Sequence, residues 1–142
     1  MSPKGVLGNT KGKTMLSITA IYGALIALIY LSLTIRVIAM RQSLQISLGD
    51  KDNPAIRQRI RSHANFAEYA PMGIILVALV ELNGGATGVV HLFGLMVLLG
   101  RVSHAAAFWK HPMVFPLRKL GMLLTMAQLG LAALWLLINA VL

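Results

Sequence analysis

Residues 54–82 read PAIRQRIRSHANFAEYAPMGIILVALVEL, and the two ends of this stretch suit two different solvents. Asn53-Pro54 ahead of it has the form of an N-cap with proline at the first helical position. The first dozen residues carry Arg57, Arg59, Arg61 and His63, whereas the run from about Phe66 to Leu82 is almost wholly apolar. Such a helix starts in water and enters lipid some ten residues later. A bilayer core of about 30 Å takes about 20 helical residues at 1.5 Å each. Three other runs qualify, at about 15–40, 89–108 and 117–142, divided by Asn83-Gly84-Gly85 and by Pro112 and Pro116. Thr87 is positioned to cap the third run.

Composition agrees. Charged residues make up 12% of the 142 and apolar ones 57%, against roughly 25% charged in soluble domains. A soluble chain this short has too little interior to hide that much apolar surface. The expected fold class is therefore all-α, an integral membrane four-helix bundle. Residues 1–14 form a basic polar segment ahead of a 15–142 domain. The first apolar run is longer than a signal-peptide core and lacks a clear cleavage site, so it reads as a retained helix. There is no cysteine, so any thiol chemistry has to come from a substrate.

The net charge of +9 does not point to nucleic acid, because the cations border apolar runs and are not interleaved with aromatics. Arg36, Arg41, Lys51, Arg57, Arg59 and Arg61 flank the first connection, and Arg101, Lys110, Arg118 and Lys119 flank the third. Only the lysines of the head fall on the other side. The positive-inside rule then places both termini on the non-cytoplasmic side.

Ionisable residues at membrane depth are costly and point to function. Arg57, Arg61, Asn65 and Glu68 fall within about 80° of one helix face. Arg101, His104 and Phe108 share a face of the third helix, and Arg41 and Arg118 close the ring. The cations outnumber Glu68, so the column wants an anion, and Glu68 suits a ligand that also carries an ammonium group. A structural ion pair within the bundle is the plainer alternative, weakened by that excess. The four histidines show no metal-ligand spacing. His91 suits hydrogen-bonded packing, His63 an interfacial position, and Glu81 a helix end in reach of water.

The stretch Arg61-Ser-His63-Ala-Asn65-Phe-Ala-Glu68-Tyr69-Ala-Pro71, followed by Glu81-Leu-Asn83-Gly84, resembles the second helix of the MAPEG family, the membrane-associated proteins in eicosanoid and glutathione metabolism. Gly100-Arg101-Val-Ser-His104-Ala and Arg118-Lys-Leu-Gly121-Met122 are similar to signatures of its bacterial branch. The resemblance runs from about Ile21 to the C-terminus. It implies a left-handed, up-down bundle in a bacterial inner membrane, assembled as a homotrimer, with glutathione between subunits. It also implies glutathione contacts at Arg61, Asn65, Glu68, Tyr69, Arg41 and Arg101. With Arg57 and His104 from the polar faces above, these form the expected glutathione-binding set. Arg118, near the start of the fourth helix, matches the arginine expected to stabilise the thiolate. The activity implied is a microsomal glutathione S-transferase-like transferase or peroxidase acting on lipophilic electrophiles or lipid hydroperoxides, with no metal. A non-catalytic membrane protein of the same fold, binding a lipid or anionic ligand, is the alternative. Eicosanoid-type members carry tyrosines where this chain has His104 and Phe108.

Overall fold

The computed structural model describes residues 16–142, so the basic head at 1–14 lies outside the described residues. Four helices follow one another: α1 Ser17–Leu44, α2 Pro54–Leu82, α3 Thr87–Ala107 and α4 Phe115–Val141. All four are long and apolar enough to cross a membrane. Most large exposed side chains on them are Leu, Ile, Val and Met, as expected where lipid is the outer solvent.

The ends follow local chemistry. Asn53 Oδ1 accepts from the backbone N–H groups of Ala55 and Ile56, at 3.0 and 3.3 Å, with Pro54 in the first turn. That is the cap expected from Asn53-Pro54. Helix α1 runs on to Leu44, four residues past the expected end of its apolar span, because Arg41, Gln42 and Ser43 continue the helix into the interface. It stops where Gln45 turns left-handed, at φ 51°. Thr87 does not cap α3: it is the first helical residue, and the cap position falls on Ala86. The start of α1 is capped from a distance. Glu81, late in α2, accepts from the backbone N–H groups of Ile18 (3.0 Å) and Thr19 (2.8 Å) and from the Thr19 hydroxyl (2.6 Å). This satisfies donors that would otherwise face lipid.

Helices α2 and α3 hold the middle. Each touches α1 and α4 as well as the other, while α1 and α4 do not touch among the described residues. One apolar cluster joins Val77, Val80, Val90, Phe93, Val97 and Ala132; a second joins Ile26, Leu33, Phe66, Ala70 and Ala105. The closest helix contact is α3 on α4. A methyl group placed on Gly121 would sit 2.6 Å from the backbone nitrogen of His104, and one on Gly100 would sit 2.7 Å from Thr125 Oγ1. Small residues let helices approach in lipid, where dispersion and not hydrophobicity drives association. At the far end the Tyr22 ring lies against Gly94, and its hydroxyl is 3.0 Å from His91 Nδ1. His91 therefore has the packing role expected of it.

Gly121→Ala should force α3 and α4 apart and destabilise the bundle by about 1–3 kcal/mol. Gly130→Ala, on the same helix but facing open space, should be neutral or stabilising by up to about 1 kcal/mol. Thermal melts of both variants in detergent check the contrast; equal melting temperatures would refute the close-contact account.

Candidate functional site

The polar column of α2 lies at the basic end of the bundle, and Arg57, Arg61 and Glu68 on it are exposed. Next to it are two hollows. The outer one, about 410 Å³, is lined by Pro54, Arg57, Gln58, Arg61, Phe108, Pro112, Met113 and Arg118. The inner one, about 70 Å³, is lined by Arg61, Ala64, Asn65, Glu68, His104, Phe108 and Arg118. Arg61, Phe108 and Arg118 are common to both. Six of the nine expected residues thus meet around one pair of hollows. An apolar groove of about 400 Å³ between α1 and α2, floored by Phe66, Ala70 and Ile74, shares no residue with them.

Behind the inner hollow lies Arg101, which has no exposed surface. Its Nε and Nη2 donate to Thr125 Oγ1 at 3.1 and 2.7 Å, and Nη1 donates to Asn65 Oδ1 at 3.1 Å. The Thr125 hydroxyl donates onward to the carbonyl of Gly121 at 2.8 Å. Nη2 also lies 3.9 Å from Met122 Sδ. The guanidinium is 5.7 Å from the centre of the Tyr69 ring, so Tyr69 borders Arg101 and not the hollows. Every one of these partners is neutral. A buried cation without a counter-ion is expensive, and its field reaches into a poorly screened space.

His104 is 2% exposed and its ring tilts against Phe108, with centroids 4.9 Å apart. Nδ1 is buried and has no partner. Arg118 is exposed; its guanidinium lies 5.8 Å from the centre of the Phe108 ring and 3.8 Å from Met113 Sδ. Neither contact cancels its charge.

Two expected residues are engaged elsewhere in the chain. Arg57 reaches the outer hollow but pairs with Asp50, and with Asp52 at 3.1 Å. The hydrogen bond from Arg57 holds the Asp50 carboxyl below its ordinary value. Arg41 lies outside both hollows and donates to the carbonyls of Ile46 and Ser47, at 3.4 and 3.2 Å. His63 faces α1, with Nε2 3.0 Å from the Thr34 hydroxyl and its ring stacked on Tyr30. Sequence reasoning missed Thr125. Its signal was a lone hydroxyl in an apolar run, one turn after Gly121 and two turns after Arg118, which puts all three on one face of α4.

Thr125→Val would leave Arg101 donors unpaired in a dry interior and should cost about 1–3 kcal/mol. Arg101→Met removes the charge along with its needs and should be far milder, or stabilising. A melting series that ranks the two the other way would show that Thr125 does not carry the guanidinium.

The MAPEG family matches this chain over residues 19–138. The inner membrane protein YecN of Escherichia coli strain K12 is 34% identical over 121 residues, which cover 83% of this chain and 91% of that protein. YecN of Escherichia coli strain CFT073 matches to the same extent. No solved structure matches.

Proposed function

The chain belongs to the MAPEG family, and on that premise we propose that it is a membrane-bound glutathione-dependent transferase or peroxidase of a bacterial inner membrane. The observation that carries this reading is the uncompensated cationic cleft. Arg101, Arg61 and Arg118 gather around Asn65, His104 and the single carboxylate Glu68, while salt bridges among the described residues involve only Arg57. Glutathione offers what this set lacks: two carboxylates for the guanidiniums and one ammonium for Glu68.

Catalysis then follows from charge. A free thiol of the cysteine type has a pKa near 8.5, so only a few per cent is thiolate at neutral pH. A guanidinium beside the sulfur favours the anion, and each ~1.4 kcal/mol of that preference raises the thiolate-to-thiol ratio about tenfold. Arg118 is the group for that task, since it is unpaired by any carboxylate and borders both hollows. The thiolate attacks an electrophile arriving from the lipid, or the O–O bond of a lipid hydroperoxide. Asn65, Arg61 and Glu68 hold the peptide.

The inner hollow, at about 70 Å³, is far smaller than a tripeptide, and the face bearing Arg61 and Glu68 is exposed. Charged side chains on an outer face of a membrane helix need cover. We therefore extend the proposal to a left-handed, up-down bundle assembled as a homotrimer, with a neighbouring copy closing the cleft. Arg41, outside the hollows of its own chain, would serve the copy beside it. The charge distribution supports termini on the non-cytoplasmic side. The alternative is a non-catalytic protein of the same fold that binds a lipid or anionic ligand. It is favoured by one feature: His104 and Phe108 stand where eicosanoid-type members carry tyrosines.

Turnover of glutathione with chlorodinitrobenzene by the detergent-purified protein tests the proposal. Arg61→Ala and Glu68→Gln should raise the KM for glutathione by roughly 10–100-fold, the worth of a charge-assisted hydrogen bond. Arg118→Ala should instead lower kcat by about tenfold or more while glutathione still raises the melting temperature. Stabilisation by glutathione without any turnover in the unaltered protein would select the non-catalytic alternative. The absence of both signals would remove glutathione as the ligand.

A further inference from the structure

All four carboxylates of the chain now have places. Asp50 and Asp52 hold Arg57, Glu81 caps α1, and Glu68 lies on the exposed face of α2. None is left for a second group of cations at the basic end. Arg59 lies about 160° around α2 from Arg61, on the flank that faces α1. It donates Nη1 to the carbonyl of Arg36 at 3.1 Å. Arg36 donates Nη2 to the carbonyl of Trp109 at 2.6 Å, and its guanidinium carbon sits 3.7 Å over the centre of the Trp109 ring. The remaining nitrogen, Nη1, is buried without a partner.

Carbonyl oxygens and a ring face orient these guanidiniums but carry no net charge to cancel theirs. The two arginines are close enough to repel each other. A planar guanidinium with free N–H groups matches phosphate oxygens in pairs. The surroundings decide the source of that phosphate. Trp109 is 54% exposed at the basic end, and tryptophan rings settle at headgroup level. The connection carrying it is fixed by Gln58, whose Nε2 donates to the carbonyl of Lys110 at 2.6 Å. Basic clusters beside membrane helices draw anionic lipids, which are concentrated at that depth.

We propose that Arg36, Arg59 and Trp109 form a binding site for the phosphate of an anionic phospholipid, separate from the glutathione cleft and independent of it. Free phosphate shares the chemistry but not the anchoring in the bilayer.

The test is thermal melting of the full chain in detergent with short-chain phosphatidylglycerol, with phosphatidylcholine of the same chains, or with inorganic phosphate. Phosphatidylglycerol should raise the melting temperature by several degrees, and the other two should not. The double variant Arg36→Gln/Arg59→Gln should lose that shift, while Lys51→Gln/Lys119→Gln, which removes the same charge elsewhere, should keep it. An equal response to phosphatidylcholine would assign the effect to acyl chains. A response to inorganic phosphate would assign it to a free anion. Equal loss in both double variants would reduce it to diffuse charge. Each of these overturns the proposal. If the arginine variant does not fold, native mass spectrometry of the unaltered protein decides: preferential retention of phosphatidylglycerol supports the site, and indifference between the lipids overturns it.

Discussion

Where α2, α3 and α4 meet, a guanidinium with no exposed surface is held by one threonine hydroxyl and one asparagine amide oxygen. Much of the basic end is arranged around this Arg101 contact. Thr125 reaches the guanidinium because α3 and α4 approach closely at Gly100 and Gly121, and Thr125 then returns its own proton to the Gly121 carbonyl. Asn65 is brought in from α2. Hydrogen bonds to neutral groups solvate a buried cation only partly. The residual positive field is directed toward the hollow that Asn65 and His104 line, which makes the packing of three helices and the electrostatics of the cleft one problem.

What could be read from the residues divides along the distance over which each interaction acts. The four helices were legible because hydropathy and length are local, and so was the start of α2, whose cap spans three residues. The column Arg57, Arg61, Asn65 and Glu68 was legible because helical geometry alone sets its face. Its lining of a shared hollow with His104 and Arg118 agrees with the faces assigned to the other helices. Long-range contacts were not legible. Glu81 reads as a carboxylate near a helix end, and nothing within its own helix announces that it serves α1. Arg57 belonged to the column by angle, yet the left-handed Lys51 and Asp52 in the preceding loop accompany two carboxylates set against it. Thr125 disappeared into a leucine-rich run because its partner lies 24 residues away on another helix.

The two arginine groups at the basic end show how a surplus of charge is divided. Arg59 and Arg61 are two residues apart, and the helical turn sends them to opposite flanks. One joins Arg36 and Trp109 beside the connection between α3 and α4, and the other joins Arg118 at the cleft. With so few carboxylates in the chain, both flanks depend on anions from outside. The two kinds of anion meet the protein in different media: a water-soluble peptide at an opening, and a headgroup fixed in the lipid surface.

Glu81 bears on how the chain is made. The amides at the start of α1 leave the ribosome more than sixty residues before the carboxylate that satisfies them, since the contact joins positions 62 and 63 residues apart. Until then they must stay hydrated or borrow lipid headgroups. The first helix is therefore complete only as half of a hairpin with the second, and the hairpin, not the single helix, is the smallest unit that can rest in the bilayer with its first-turn donors satisfied.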